Sequence, residues 1–321
     1  MGAQLQPAAK PTMYFIGVST GSSSIMRVFP EWARHLELRA VLAGVDLPLH
    51  AAPERYREVV GFIRDDPQSL GALVTTHKLD LLKASRDLFD ELGEDAELLG
   101  EVSSISKSGG RLIGHAKDPV TSGLALEAIV PDGYWSGSDA ELAILGAGGS
   151  SLALTLYLHR RRAGGLDAPA RLVVTNRGAA RLAEMQDIHR RLGFAIPAAY
   201  VRAREPRDND RAIAGLAPGS VVINATGLGK DRPGSPLTDA AEFPHGAIAW
   251  DFNYRGDLVF LQQAARRRDA RSLQIVDGWD YFIHGWTSVI AEVFGVDIPA
   301  AGPEFERLSA IARDTTAGAR T

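Results

Sequence analysis

Short apolar runs alternate along the chain with longer segments in which apolar residues recur at helical spacing. In the first part of the chain the apolar runs cover residues 13–17, 40–43 and 70–75, and helical spacing covers residues 25–36 and 54–63. A second series has apolar runs over residues 141–145, 171–175, 220–225, 247–252 and 273–276, with helical patterns between them. This alternation predicts an α/β fold with mainly parallel sheets.

Turn-forming residues divide the two series. The runs over residues 102–106 and 111–115 predict a hairpin at the end of the first series, and Gly133 lies in a turn-rich join. We therefore predict an N-terminal α/β domain over residues 13–132 and a C-terminal Rossmann domain over residues 133–276. A return helix is expected over residues 277–296. Residues 1–12 and 302–321 are expected to be tails, the second of them frayed.

Composition narrows the class of protein. The chain has 321 residues, 45% of them hydrophobic, and a formal net charge of -4 without a basic block, which argues against nucleic-acid and membrane partners. It contains no cysteine, so disulfides and thiolate chemistry are excluded. We expect no metal, because no acidic or histidine grouping has ligand spacing. Because no targeting segment is visible in the sequence, we expect a cytoplasmic protein. We also expect a monomer or a homodimer.

A glycine-rich loop follows the strand predicted over residues 141–145 and precedes a helical pattern. The loop contains Gly146, Ala147, Gly148, Gly149 and Ser150. In dinucleotide-binding units such a loop turns tightly, lets the backbone approach the pyrophosphate and presents amide groups at a helix start. These five residues are therefore predicted to bind a dinucleotide.

The end of the next predicted strand indicates which dinucleotide is bound. NAD-binding units usually carry Asp or Glu there, whereas this chain has Asn176 and Arg177, followed by Arg181. Two guanidinium groups suit a 2′-phosphate, so NADP is the predicted cofactor. Asn224, Ala225 and Thr226, which end a later strand, are predicted to line the nicotinamide side.

Several further segments occur in the order of one known family. Residues 74–78 end in Lys78, residues 99–104 read Leu-Gly-Glu-Val-Ser-Ser where the family has Gly-Ala-Val-Asn-Thr, and residues 114–118 end in Asp118. The glycine loop, Asn176-Arg177, residues 223–226 and residues 251–254 follow in order. Over residues 13–295 the chain resembles the shikimate/quinate dehydrogenase family.

The resemblance implies an NADP-dependent dehydrogenase with a substrate domain, a cofactor domain and chemistry in the cleft between them. It assigns an acid/base role to Lys78 and an orienting role to Asp118. Substrate contacts are expected from Ser22, Ser23, Ser24, Thr75, Ser103, Tyr254 and His284. Gly278 is placed beside the cofactor.

The substrate segments depart from the family pattern. Ser103 and Ala116 stand where the family has asparagines, and the family glutamine falls at Gly285. We therefore expect a small hydroxylated carboxylate that is similar to shikimate but different from it. Two alternatives remain open from the sequence: an imine or amine oxidoreductase, and a non-catalytic NADP(H)-binding sensor.

Overall fold

The computed structural model describes residues 5–230 and 232–317, which form two compact units. The first unit contains the residues up to Asp118 and those from Ile283 onwards, and the second is Pro119–Phe282. The strands are β1 Thr12–Gly17, β2 Val41–Asp46, β3 Ser69–Val74, β4 Glu91–Leu92, β5 Ser104–Ser108, β6 Arg111–His115, β7 Leu142–Leu145, β8 Leu172–Asn176, β9 Ala198–Arg202, β10 Val221–Asn224, β11 Ile248–Asp251 and β12 Gln274–Val276. The α-helices are α1 Ile25–His35, α2 Pro53–Asp65, α3 Lys78–Ser85, α4 Glu94–Leu99, α5 Asp118–Glu127, α6 Gly149–Ala163, α7 Ala179–Leu192, α8 Pro206–Ala214, α9 Val259–Arg271, α10 Trp279–Phe294 and α11 Pro303–Ala317.

The first unit is built on a six-stranded mixed sheet in the order β2-β1-β3-β5-β6-β4. Strand β1 pairs in parallel with β2 on one side and with β3 on the other. The predicted hairpin is present as β5 and β6, which pair antiparallel, and β5 continues the sheet from β3. The sheet extends from β1 to β2 on one side and from β3 onwards on the other, so the strand order reverses between β1 and β3. The loops that follow these two strands diverge at this point.

The second unit contains a parallel sheet in the order β12-β11-β10-β7-β8-β9. This is the doubly wound order of dinucleotide-binding domains, with the reversal between β7 and β10. Alternate strand residues enter two apolar clusters, with Leu142 and Ile144 in one and Ala143 and Leu145 in the other. Both faces of this sheet are thus buried, and the predicted α/β class is confirmed.

Two boundaries differ from those expected. The units change at Pro119 instead of near Gly133, because Leu126 and Val130 pack in the core of the second unit. The expectation of a frayed tail from residue 302 is wrong as far as residue 317, because α11 is a regular helix. Leu308 of this helix is fully buried, and its carbonyl accepts a hydrogen bond of 2.8 Å from Trp32 Nε1. The rest of the expected tail lies outside the described residues.

Candidate active site

The carboxyl ends of β1 and β3 carry the two loops in which substrate and acid/base residues were predicted. Thr75 follows β3, and its backbone N–H donates to the carbonyl of Ile16 in β1 at 2.9 Å. The loop with Ser22, Ser23 and Ser24 follows β1. Because adjacent parallel strands end at the same edge, both loops start from the place where ligands bind in open α/β sheets.

Lys78 and Asp118 form a hydrogen-bonded ion pair between Nζ and Oδ2, although they are far apart in sequence. Each is the first residue of a helix, α3 for Lys78 and α5 for Asp118. Their side chains retain 18% and 13% exposure, so the pair is largely desolvated yet reachable. Burial lowers the pKa of Lys78, but the charges of Asp118 and Glu101 outweigh it and raise that pKa overall. Lys78 is therefore an ammonium group, which suits a proton donor.

Glu101 belongs to the same ionisable cluster and was not predicted from the sequence. It is 3% exposed, and its Oε1 is buried without a hydrogen-bond partner among the described residues. Burial raises its pKa to about 7, the charge of Lys78 lowers it and that of Asp118 raises it. The available clue was a glutamate where the family segment has alanine.

Ser103 connects this segment to the residue before Asp118. Its hydroxyl accepts a hydrogen bond of 2.7 Å from the backbone N–H of Lys117, and its own N–H donates to the carbonyl of His115 at 2.9 Å. Ser103 is buried, and its polar groups are engaged by the protein. The structure thus gives it a role in holding the start of α5, while substrate contact remains a prediction.

The residues immediately before Lys78 have an unusual conformation. Thr76 has a φ of 57°, a left-handed conformation that is rare for a β-branched residue. His77 is buried, lies 3.1 Å from the Tyr56 hydroxyl through Nδ1, and has a pKa lowered mainly by burial. A neutral, packed His77 and a strained Thr76 together define how the chain enters α3.

The other predicted substrate residues have different surroundings. Ser22 is exposed and donates to the carbonyl of Ser19 at 2.9 Å, whereas Ser23 and Ser24 are half-buried. His284 stacks on Phe305 with ring centroids 4.3 Å apart, and burial lowers its pKa to about 4. The structure therefore places His284 in packing against α11.

Tyr254 and Gly278 lie in the second unit. The Tyr254 ring packs on Phe282, with centroids 4.4 Å apart. A Cβ at Gly278 would come within 2.2 Å of the carbonyl oxygen of Phe252, so this backbone approach requires glycine. Neither observation tests the predicted contacts with ligand.

In the second unit, the glycine loop follows β7 and contacts the loop that follows β10. Gly146 has a φ of 116°, and a Cβ there would lie 2.7 Å from the Ala225 carbonyl oxygen. Helix α6 starts at Gly149 without a side-chain cap, and nothing lies within 4 Å of a Cβ built on Gly148. Amide groups at this helix start are available to an anion, which fits a pyrophosphate.

The residues predicted to select NADP lie at the end of β8 and the start of α7. Asn176 accepts a hydrogen bond of 3.3 Å from the Ala147 N–H, which ties it to the glycine loop. Arg181 forms an exposed ion pair with Glu184 at 2.7 Å. Arg177 is exposed, and in residues 5–230 and 232–317 no side chain is hydrogen-bonded or ion-paired to it. Its guanidinium group is the better placed of the two to bind a phosphate.

Asn224 and Thr226 shape the loop after β10 through a buried network. Asn224 is fully buried; its Oδ1 accepts from Thr226 Oγ1 at 2.6 Å, and its Nδ2 donates to Asp251 at 2.9 Å. Asn253 donates twice to the other Asp251 oxygen, both times at 2.8 Å. The polar groups of Asn224 are therefore engaged by the protein and fix the loop after β10. Its predicted contact with the cofactor remains a prediction.

The described part of the chain has neither a metal-binding cluster nor a membrane-spanning helix. Residues 5–230 and 232–317 contain no group of three or more histidine, aspartate or glutamate side chains arranged to hold a metal ion. In the same ranges no helix has the length and apolar character needed to cross a bilayer.

Comparison with known proteins shows an extended sequence similarity. No protein-family model matches the chain. Shikimate dehydrogenase (NADP(+)) of Symbiobacterium thermophilum is 28% identical over 249 residues, covering 77% of this chain and 76% of the relative. The predicted resemblance to the shikimate/quinate dehydrogenases is confirmed. The chain is a divergent relative at this level of identity.

Solved structures show the same fold over nearly the whole chain. Shikimate dehydrogenase from Aquifex aeolicus has a TM-score of 0.71 at 18% identity, covering 97% of this chain and 99% of that one. The 5-ketofructose reductase of Gluconobacter sp. strain CHM43 has a TM-score of 0.68 at 17% identity, with 97% and 99% coverage. At these identities the similarity establishes the fold.

Proposed function

We propose that this chain is an NADP(H)-dependent oxidoreductase that interconverts a secondary alcohol and a ketone on a small hydroxylated carboxylate. The observation that carries the proposal is the desolvated ion pair between Lys78 and Asp118 beside the edge where β1 and β3 end. The sequence similarity of the chain to shikimate dehydrogenase (NADP(+)) supports this reaction class and this cofactor. The retained acid/base pair favours an enzyme over a non-catalytic sensor.

The residues of the second unit fit the cofactor. The amides at the start of α6 suit the pyrophosphate, and Arg177 suits the 2′-phosphate of NADP. The contact between Gly146 and Ala225 brings the two predicted cofactor loops together at the reversal of strand order. When bound, the nicotinamide accepts or donates hydride.

Proton transfer is assigned to the first unit. In ketone reduction the Lys78 ammonium loses a proton to the carbonyl oxygen, which gains the electron pair of the carbonyl π bond. Asp118 orients Lys78 and stabilises its charged form before transfer. In alcohol oxidation the same proton moves in reverse, and neutral Lys78 is the acceptor.

We propose further that the substrate differs from shikimate. A site that binds a ring hydroxyl needs polar partners placed for it, and their loss weakens recognition strongly. Ser103 is engaged by backbone groups, Ala116 has no polar side-chain atom, and a Cβ on Gly285 would meet open space. His284 stacks on Phe305, which argues against its replacing the missing amide.

The test is a steady-state assay of the full chain, following reduced nicotinamide by absorbance with NADP(H) and NAD(H). The substrate panel contains hydroxy acids and keto acids, including shikimate and quinate, and each is assayed with and without ammonia. Turnover with NADP(H) supports the proposal; turnover that requires ammonia supports the imine alternative. Shikimate oxidation at about 10⁴ M⁻¹s⁻¹ or above would contradict the substrate assignment.

A further inference from the structure

The buried carboxyl of Glu101 is unexplained by the fold. A buried ionisable group ordinarily has hydrogen bonds or a close partner, because leaving it without them is costly. Glu101 is 3% exposed, and no described residue is hydrogen-bonded to its Oε1. A packing role would be served by an apolar side chain, so the buried carboxyl calls for another explanation.

The two residues that follow Glu101 are hydrogen-bonded to Lys78 and to the residue before Asp118. The N–H of Val102, the next residue, donates to the carbonyl of Lys78 at 3.3 Å. The hydroxyl of Ser103 accepts from the N–H of Lys117, the residue before Asp118, at 2.7 Å. Residues 101–103 therefore lie next to the first residue of α3 and the residue that precedes α5.

The charged groups that act on Glu101 come from those two helices. They are Lys78, which lowers its pKa, and Asp118, which raises it, both acting against a background of burial. Lys117 and Glu292 form an ion pair of 2.6 Å, and His115, whose pKa is lowered mainly by burial, lies 3.5 Å from the other Glu292 oxygen through Nδ1. The charge of Glu101 in turn raises the pKa of Lys78.

We infer that Glu101 is a positioning residue that acts through Lys78: it holds the lysine as an ammonium group and biases the site towards ketone reduction. The inference deepens the proposed function, on which its consequence for turnover rests. An ionised Glu101 adds a second carboxylate beside Lys78, and the proton of Lys78 is then harder to remove. Protonation of Glu101 removes that effect, so the bias is strongest above the pH at which Glu101 ionises.

The direct test measures the ionisation of Lys78 without any substrate. The full chain is labelled with trace acetic anhydride over a range of pH, and the Lys78 and Lys83 peptides are quantified by mass spectrometry. Lys83 is an exposed lysine of the same helix and serves as the internal reference. Because only the neutral amine reacts, lowering the pKa of Lys78 by one raises its labelling about tenfold while it remains mostly protonated.

Glu101→Gln removes the charge while keeping the shape, and Glu101→Ala restores the residue of the family segment. We expect both to raise the Lys78/Lys83 labelling ratio about tenfold near pH 9, with a smaller difference below about pH 7. Glu141→Gln is the matched control, because Glu141 is also buried but pairs with Arg171 in the second unit. It should leave the ratio unchanged.

Circular dichroism establishes first that each variant is folded, and the alanine variant provides a second reading if the glutamine variant is not. An unchanged or lower ratio in a folded Glu101 variant would overturn the inference. An absence of nicotinamide-dependent turnover would instead contradict the proposed function. If turnover is found, Glu101→Gln should also move the alkaline limb of the reduction profile to lower pH.

Discussion

Two buried carboxylic acids, one in each unit, have opposite surroundings. Asp251 is fully buried, and its two oxygens accept three hydrogen bonds of 2.8 to 2.9 Å from Asn224 and Asn253. Glu101 is also buried, but its Oε1 has no hydrogen-bond partner in the described ranges. Burial is the largest cause of the raised pKa in both, about 6 for Asp251 and about 7 for Glu101.

The difference separates a structural acid from one that serves chemistry. The hydrogen bonds to Asp251 fix the loop after β10, so its carboxylate is an acceptor in a satisfied network. Glu101 interacts chiefly with the charges of Lys78 and Asp118, which can gain or lose protons. A raised pKa therefore does not identify a functional group by itself, and the hydrogen bonds made by each carboxyl group distinguish these two acids.

The largest expected effect concerns the charged cluster of the first unit. Lys78→Ala and Asp118→Ala should each reduce turnover about 10²–10⁴-fold, because they remove the proton donor or its orienting carboxylate. NADP(H) affinity should change little, since the cofactor residues lie in the second unit. The measurements are kcat on a substrate from the panel and fluorescence titration of NADPH, with the exposed Lys83→Ala as control. Near-normal kcat in both variants would remove the pair from the mechanism.

A smaller effect is expected at the cofactor-binding loops of the second unit. Arg177→Ala should weaken NADP(H) binding about 10–100-fold, the usual contribution of a hydrogen bond to a charged group, and leave NAD(H) binding nearly unchanged. Isothermal titration with both cofactors measures the ratio. Arg190→Ala is the control, because Arg190 is an exposed arginine of α7, the helix that follows Arg177. Equal affinity of the unmodified protein for NADP(H) and NAD(H) would contradict the assignment.

Sequence predicted the regular parts of the fold better than the site. Helix α7 lies between apolar runs where a helical pattern was predicted, and the hairpin of β5 and β6 was recognised from its turn. Helix α11 was missed because few of its residues are large and apolar, and its burial depends on distant Trp32.

Site geometry depends on contacts that periodicity does not encode. Lys78 and Asp118 are 40 residues apart, so only a family resemblance could pair them before the structure. His284 was expected to contact substrate, whereas its ring stacks on Phe305 of α11, a helix that the sequence did not predict. Glu101 was missed because a carboxylate in a sequence gives no sign of its burial.

The free energy of unfolding should respond differently to substitution of the two acids. Asp251→Asn places an amide donor among the donors of Asn224 and Asn253, so it should destabilise the second unit by about 1–3 kcal/mol. Glu101→Gln removes a buried charge that has little compensation, so it should leave stability unchanged or raise it at about pH 8. Urea unfolding followed by circular dichroism compares the midpoints of both variants with the unmodified protein. A loss in Glu101→Gln as large as that in Asp251→Asn would show that Glu101 is also a structural acid.

The smallest expected effect is the pH dependence of these differences in unfolding free energy. It distinguishes the two acids because they ionise over different pH ranges. The folded-state pKa of Glu101 is raised from 4.5 to about 7, so folding binds a proton and the unmodified protein loses stability as pH rises towards and through that value. Between about pH 6 and pH 8 this loss is on the order of 1 kcal/mol. The advantage of Glu101→Gln should grow by that amount over the same interval.

For Asp251, with a folded-state pKa of about 6, the corresponding change is smaller, because the interval begins at that pKa and most of the stability loss occurs below it. Urea midpoints of the three proteins at four pH values measure both slopes, and Asp251→Asn provides the comparison. A flat difference between Glu101→Gln and the unmodified protein would mean that Glu101 does not titrate near neutrality. A pH-dependent effect of Glu101 on the protonation of Lys78 would then be excluded, whatever effect the variant has on turnover.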